Sequence, residues 1–348
     1  MRKIIIFLMI SFPFLLKAQD PVYSQFHINQ LEYNPANGGA YGVGKFAFGV
    51  IGKTSFYPIR GPFKYGNIFL NHSFFTKHNF KPDIGFIIDN ETQGDGFLSL
   101  TKTSINLGFS LKLFEKIKFI RKKKIDKIDL SIGFKPGVVT QSIDWNEFTF
   151  SDQLNPIFGI TRNSINQNAF IDYSNTFNLG LGSKLDIKFN EYNELILGFA
   201  CFNAFEPEIG FLNSYSLPRR YSYQLSFLGK SKKYKNLPWF NNYLRLDFQN
   251  QFRLWAYNLE LVFEQGFSIG AGYKSSSLFD KNNNISLPLM IAYNYDDIVK
   301  IYSSWEPNII GYNYNTFELG IIVISTNEIK QFSDFKDFFI KHNCGNRF

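Results

Sequence analysis

Few side chains in this sequence have the types and spacing that catalysis requires. Acyl hydrolysis needs a nucleophile held by a base, and the base is most often histidine. The chain has four histidines, at His27, His72, His78 and His342, and only His72 falls in a predicted strand. A lone histidine in a strand more often makes a structural hydrogen bond than acts as a base. We therefore predict no catalytic residues.

Metal and cofactor sites are supported no better. Asp296 and Asp297 are adjacent acids in a predicted tight turn, and no second carboxylate pair completes an oxygen-ligand shell. The Gly42-Val43-Gly44 run opens a predicted strand, so it lacks the helix N-terminus of a phosphate-binding loop. We predict no metal and no cofactor. The secondary-structure elements and the partners that they could bind are therefore considered next.

The composition points to a membrane environment. Aromatic residues make up 18% of the chain, with 41 Phe and 19 Tyr, and hydrophobic residues make up 45%. The mean hydropathy is nevertheless −0.15, so apolar and polar residues must be interleaved, as in a transmembrane β-barrel. The net charge of +8 is spread along the chain, which is not the concentrated basic face of a nucleic-acid-binding protein.

The N-terminus has the pattern of a secretory signal peptide. Arg2 and Lys3 precede a short apolar core that runs to Leu16, and Ala18 supplies the small residue of a cleavage site. This core is too short for a membrane anchor. We predict that residues 1–18 are removed and that the mature chain works outside the cytoplasm.

Alternation with a period of two recurs from about residue 43 to 325. Ile105, Leu107 and Phe109 alternate with Asn106 and Gly108, so arginine is expected to cost more at Leu107 than at the lumen-facing Asn106. A soluble sandwich shows the same alternation, but the wide apolar faces with aromatic ends favour an all-β, transmembrane antiparallel barrel of about 14 strands. The strands are predicted near 43–53, 65–75, 82–90, 101–113, 128–141, 175–188, 193–203, 219–229, 242–251, 255–263, 267–275, 287–295, 298–305 and 315–325.

The predicted organisation is one barrel with two flanking segments. The barrel spans 43–325, after an N-terminal plug or periplasmic segment at 19–42 and before a C-terminal tail at 326–348. Longer loops are expected at 54–64, 114–127, 142–174, 204–218, 230–241 and 306–314. The predicted inward positions carry few charges, which favours a plugged or partner-filled lumen over a porin with facing charge ladders.

Several motifs together resemble one known family. They are Gln19-Asp20-Pro21-Val22-Tyr23-Ser24-Gln25-Phe26, Tyr33-Asn34-Pro35-Ala36, Ser142-Ile143-Asp144-Trp145, Leu217-Pro218-Arg219, residues 267–275 and Glu318-Leu319-Gly320. In this order they resemble the PorP/SprF family of type IX secretion membrane proteins. The resemblance implies an outer-membrane barrel that binds, exports or anchors a cognate secreted adhesin through its C-terminal domain, with roles in gliding or surface attachment. It also implies contact with type IX secretion components in the periplasm and with outer-membrane lipid, and none with nucleic acid.

Two groups of residues are the candidates for partner binding or plugging. The first group belongs to the motifs: Ser24, Gln25, Phe26, Tyr33, Asn34, Pro35, Asp144, Pro218 and Arg219. The second group consists of aromatics in or beside predicted loops, since aromatics dominate interface hot spots: Trp145, Phe148, Phe150, Phe205, Phe211, Trp305 and Tyr312. These aromatics are alternatively part of the interfacial girdle, and the whole protein is alternatively a passive porin or small-solute transporter.

Overall fold

The structure is a computed structural model of the chain. It describes residues 22–42, 44–57, 61–74, 80–94, 98–119, 123–144, 153–155, 157, 159–160, 173–211, 215–230, 238–250, 252–275, 284–310 and 314–325. The predicted signal peptide and the predicted C-terminal tail lie outside these residues.

Fourteen antiparallel strands form one closed barrel, as predicted. The first seven are β1 (Phe46–Tyr57), β2 (Phe63–Ser73), β3 (Phe80–Gln93), β4 (Leu98–Phe119), β5 (Lys123–Ile143), β6 (Tyr173–Asn190) and β7 (Asn193–Phe202). The second seven are β8 (Arg220–Gly229), β9 (Trp239–Gln249), β10 (Phe252–Val262), β11 (Phe267–Ser275), β12 (Ile285–Ser286 and Leu289–Tyr295), β13 (Val299–Ile310) and β14 (Asn315–Ile324). Each strand pairs with its neighbours in the chain, and β1 pairs with β14 to close the barrel. Closure leaves no free sheet edge within the wall.

The wall follows the alternation in the sequence. On β4, Ile105 and Leu107 are 47% and 45% exposed, while Asn106 between them is fully buried. Successive side chains of a strand point to opposite faces of the sheet, so the apolar set faces outward and the polar set faces the lumen. Among the described residues, no helix has both the length and the apolar content needed to cross a membrane.

The two ends of the barrel differ in their connections. Both termini of the barrel and tight turns such as 191–192 and 296–298 lie at one end, called here the terminal end. The longest connections, 144–172 and 203–219, lie at the opposite end. Outer-membrane barrels have short periplasmic turns and long extracellular loops, so the terminal end faces the periplasm and the opposite end faces outward.

Two predicted loops are strand instead. Strands β4 and β5 continue through most of 114–127, with pairs as far as Phe119 opposite Lys123. Strand β13 continues through residues 306–310. The prediction ended these strands where the apolar alternation stops, but backbone pairing with a neighbouring strand does not need an apolar face.

Candidate functional site

The N-terminal segment, residues 22–42, lies inside the barrel. It forms a short helix, α1 (Gln30–Tyr33), and a 3₁₀ helix (Pro35–Tyr41). It contacts inward-facing groups on eleven of the fourteen strands, which only a position within the lumen permits. These groups belong to Lys53, Asn71, Asn106, Lys135, Ser183, Gln224, Arg245, Asn258, Lys274, Glu306 and Glu318.

The apolar core of the protein is made by this segment and the inner wall together. Five buried side chains come from the segment: Tyr23, Phe26, Ile28, Leu31 and Tyr33. They pack against small and apolar inward residues of the wall, among them Ala47, Ile51, Phe69, Ile87, Ala256, Ala292, Tyr302 and Ile322. Because most of the wall's other apolar side chains face outward, the segment supplies much of the internal apolar contact.

Two carboxylates fix the start of the segment. The backbone amides of Ser24 and Gln25 donate to the two carboxylate oxygens of Glu318, at 2.5 and 3.2 Å. The Ser24 hydroxyl contacts Glu306. Lys53 lies 3.5 Å from Glu318 and also reaches the carbonyl of Val22. All of these groups are buried, so each charge is stabilised by an opposite charge or a backbone dipole.

A second buried cluster surrounds Glu32 on α1. Its carboxylate lies 2.7 Å from the Lys135 ammonium and 3.8 Å from the Arg220 guanidinium. Lys135 is also 3.7 Å from Asp89. Opposite charges on β5 and β8 therefore converge on one carboxylate of the segment, at side chains that are 8% exposed or less for Glu32, Lys135 and Arg220.

Aromatic rings hold the middle of the segment. The Arg245 guanidinium lies 3.5 Å from the centre of the Tyr33 ring and is paired with Asp247 two residues along β9. The Tyr33 hydroxyl accepts a hydrogen bond from the Tyr23 amide at 2.6 Å. Phe26 packs edge-on against Tyr33 at 6.2 Å between ring centres. A cation over an aromatic face gains most where water is excluded, as it is here.

The Asn34-Pro35 motif forms a turn that fits between strands. The Asn34 side chain accepts from the Ala36 amide at 2.9 Å and donates to the Ser183 carbonyl at 3.0 Å. The Pro35 carbonyl accepts from the Asn106 side chain at 3.0 Å. A Cβ atom on Gly133 would lie 2.2 Å from that carbonyl, so the turn reaches the wall only because Gly133 has no side chain.

The described parts of the connection from β7 to β8, residues 203–211 and 215–219, pack at the outer mouth. Its Ile209 and Leu217 are buried against Val139 on the inner face of β5. The Pro218 carbonyl accepts from Asn203 at 3.1 Å and from Gln249 at 3.2 Å. The motif at Leu217 and Pro218 therefore fastens the connection to the wall.

The remaining candidate residues lie at different places. Arg219 is exposed and donates to the Ala204 carbonyl at 3.0 Å, Phe205 is 66% exposed, and Phe211 is partly buried. Asp144 is exposed at the end of β5. Trp305 faces outward within β13, 44% exposed, and donates to Asn315. Trp145, Phe148, Phe150 and Tyr312 lie outside the described residues.

The expectation of a lumen with few charges is wrong. Besides Arg245, Asp247, Glu260 and Lys274, further charged side chains of the described residues face inward, among them Lys53, Asp83, Asp89, Glu91, Lys135, Lys184, Asp186, Arg220, Glu306 and Glu318. Many of them are paired with each other or with the N-terminal segment. Their inward positions follow from the alternation, but their partners lie far away in sequence and leave no local signal.

Comparisons with known proteins support the same fold. The CymD monoaromatic hydrocarbon channel is 11% identical, with a TM-score of 0.53, and the match covers 90% of this chain and 95% of that one. The TodX deltaS2S3 mutant monoaromatic hydrocarbon channel is 10% identical, with a TM-score of 0.51, over 84% and 92% of the two chains. At these identities the likeness shows the barrel fold alone.

A sequence search of curated proteins finds no match. The family model described as type IX secretion system membrane protein PorP/SprF matches residues 15–323. This match covers the N-terminal segment and all but the last residue of the fourteen-stranded barrel. The motifs named in the sequence lie in these two parts. The chain therefore belongs to the PorP/SprF family and is an outer-membrane barrel of the type IX secretion system.

Proposed function

We propose that this barrel binds the C-terminal domain of a secreted adhesin, exports it or holds it at the cell surface, and performs no catalysis. Family membership supports a role in secretion. The observation that carries the proposal is the filled lumen, because the N-terminal segment is fixed to eleven strands by buried contacts. A barrel closed in this way acts through its rims and its bound partners.

The small size of one cavity among the described residues also suits a closed barrel. Between Glu32 of the N-terminal segment and the barrel wall lies a cavity of about 30 Å³, lined also by Lys102, Lys135 and Arg220 among others. That is room for about one or two water molecules. A recess of about 400 Å³ that includes Tyr192 and Trp239 opens at the terminal end. We propose that the segment acts as a plug between these two spaces.

The outer rim offers a contact surface for the adhesin. Tyr173 and Phe205 are 62% and 66% exposed, and Leu154 and Ile157 in the β5–β6 connection are 57% and 82% exposed. The Phe205 ring lies 6.3 Å from that of Phe177. Exposed apolar side chains at the rim of a barrel are candidates for protein interaction sites, and rigid aromatics often supply the hot spots of such sites.

The test compares variants at the two ends of the barrel. Phe205→Ser combined with Ile157→Ser should reduce, by roughly tenfold or more, the adhesin that co-purifies from solubilised outer membranes, since a hot-spot side chain contributes about 2 kcal/mol. Tyr295→Ser, which removes an exposed aromatic at the terminal end, is the matched control. If no large adhesin co-purifies with the wild type, and none leaves the surface when the gene is deleted, the proposal fails.

The alternative is a channel for small solutes, which the names of the similar structures favour. A monoaromatic hydrocarbon channel needs an apolar path, whereas this inner wall is rich in charges. The plug proposal separates the two roles in planar bilayers. Deleting residues 21–36 should raise the single-channel conductance, while the intact protein should conduct little. High conductance by the intact protein would favour the channel.

A further inference from the structure

The pairing between β4 and β5 is interrupted at one point in the outer half of the wall. The two strands pair in the same register on both sides of this point. At the point itself, Ile105 lies opposite Pro136 and Asn106 lies opposite Lys135, and neither of these pairs takes part in the ladder. We call these four residues the seam.

Pro136 accounts for the interruption. Proline has no backbone N–H to donate to a neighbouring strand, and within sheets it is usually confined to edge strands, strand starts and bulges. Pro136 instead lies in the interior of β5, with a strand on each side. Pro82 provides a contrast, because it lies near the start of β3 and its pair with Phe109 of β4 is intact. At the seam the wall is therefore weaker by the hydrogen bond that Pro136 cannot donate.

The N-terminal segment binds both sides of the seam from within the lumen. On β4, the Asn106 side chain donates to the Pro35 carbonyl at 3.0 Å. On β5, the Lys135 ammonium lies 2.7 Å from the Glu32 carboxylate. The two strands that Pro136 leaves less firmly joined are thus both held by the same segment, which bridges the interruption.

A cavity lies against the seam on the lumen side. It is the space of about 30 Å³ beside Glu32, and its lining includes Thr103 and Ser104 of β4 and Lys135 and Val138 of β5. Thr103 and Val138 belong to the outward-facing set of the alternation, whereas Ser104 and Lys135 belong to the inward-facing set. Residues of both faces of the wall therefore line this space, and separation of β4 from β5 here would join it to the lipid.

The height of the seam in the membrane follows from the outward-facing residues of β4. Thr101 and Thr103 come first from the outer end, and Ile105 is the first apolar residue among these positions, 47% exposed. The seam therefore lies at the outer edge of the lipid-facing belt. We propose that β4 and β5 separate at the seam to open a lateral passage between the lumen and the outer half of the membrane, and that the N-terminal segment holds this passage closed. Through it the barrel exchanges apolar or amphipathic molecules with the lipid, and this exchange does not require adhesin binding.

The test asks whether a reagent dissolved in the lipid reaches an inward-facing side chain beside the seam. Ser104, 6% exposed, is replaced by cysteine in a barrel whose Cys201 and Cys344 are serine, and the barrel in phospholipid vesicles is treated with pyrene maleimide. Pro136→Val restores the N–H and should slow labelling about fivefold, which corresponds to one hydrogen bond of about 1 kcal/mol. Pro82→Val is the matched control and should leave the rate unchanged. No labelling of the parent barrel, no slowing by Pro136→Val, or equal slowing by Pro82→Val would overturn the proposal.

Release of the N-terminal segment from the seam supplies the second readout. Glu32→Gln removes the carboxylate that binds Lys135 and should speed labelling of Ser104→Cys by pyrene maleimide. Adding Pro136→Val should again slow that labelling about fivefold, but it should not slow labelling by a water-soluble anionic thiol reagent, which enters through the mouths of the barrel. Folding of each variant is checked by its shift on an unheated gel. If Glu32→Gln does not speed labelling, or if Pro136→Val has no effect in the Glu32→Gln barrel or slows both reagents equally, the proposal is wrong.

Discussion

The two faces of the barrel wall meet different surroundings. The outward face carries apolar side chains such as Leu107 and Phe86, which stay exposed in the isolated chain and are covered by lipid in the membrane. The inward face carries buried charges and amides such as Glu318 and Asn106, which contact one defined segment of the same chain. Lipid accepts any apolar surface, whereas a buried charge requires a particular partner.

Because of this contrast, the identity of each residue matters more on the inner wall than on the outer face. Many outward substitutions between apolar residues leave the lipid contact in place. On the inner wall, removing one partner leaves the other buried without compensation, and the cost is then the desolvation of a charge. If substitutions on the two faces changed stability alike, this contrast between the faces would not hold.

The largest effect is expected for Asp247→Asn. Arg245 is fully buried and pairs with Asp247 beneath Tyr33, so the substitution leaves an uncompensated guanidinium. Breaking such a pair costs about 3–5 kcal/mol. The measurement is the free energy of unfolding in urea for the barrel in phospholipid vesicles, with tryptophan fluorescence as the signal of unfolding.

The control for this prediction is the pair of Lys230 and Glu264, 2.7 Å apart at the terminal end, in which the Glu264 side chain is 63% exposed. Glu264→Gln should leave the unfolding midpoint nearly unchanged, since solvent at Glu264 screens the attraction between the two charges. Equal and small changes for Asp247→Asn and Glu264→Gln would show that water reaches the inner wall.

The sequence predicted the strands of the barrel wall well. It predicted poorly which residues of the inner wall bind the N-terminal segment. All fourteen strands follow from alternation, which is a local property of the chain. The contact of Ser24 with Glu318 joins residues 294 positions apart, and no local pattern marks such a pair. Tyr33, Asn34 and Pro35 were singled out only through the family motif, and Trp305 was expected beside a loop because the prediction ended β13 too early.

A second prediction compares neighbouring positions on β4. Leu107→Arg should cost about 2–4 kcal/mol of barrel stability, because the charge faces mid-bilayer lipid. The sequence alone suggested that Asn106→Arg would be much milder. The structure changes that expectation, since Asn106 is fully buried and donates to Pro35, leaving no space for arginine.

The two β4 variants should therefore fail differently. Leu107→Arg should lower the fraction that migrates as a folded barrel on an unheated gel. Asn106→Arg should preserve more of the folded barrel but make residues 22–42 sensitive to added protease. If both variants lose the folded barrel equally and the N-terminal segment stays protected, Asn106 does not help to bind the N-terminal segment.

The smallest change in stability is expected when alanine replaces a glycine of the barrel wall. A Cβ on Gly133 would meet the Pro35 carbonyl at 2.2 Å, whereas one on Gly66 would meet nothing within 4 Å. Gly133→Ala should therefore push back the Asn34-Pro35 turn and cost about 1–3 kcal/mol, as overpacking does. Gly66→Ala should leave stability and protease protection of the N-terminal segment unchanged. The readouts are the urea midpoint and the rate of cleavage within residues 22–42. Faster cleavage in Gly133→Ala with an unchanged barrel midpoint would mean that the segment and the wall unfold separately, and an unchanged rate would mean that the turn does not rest on Gly133.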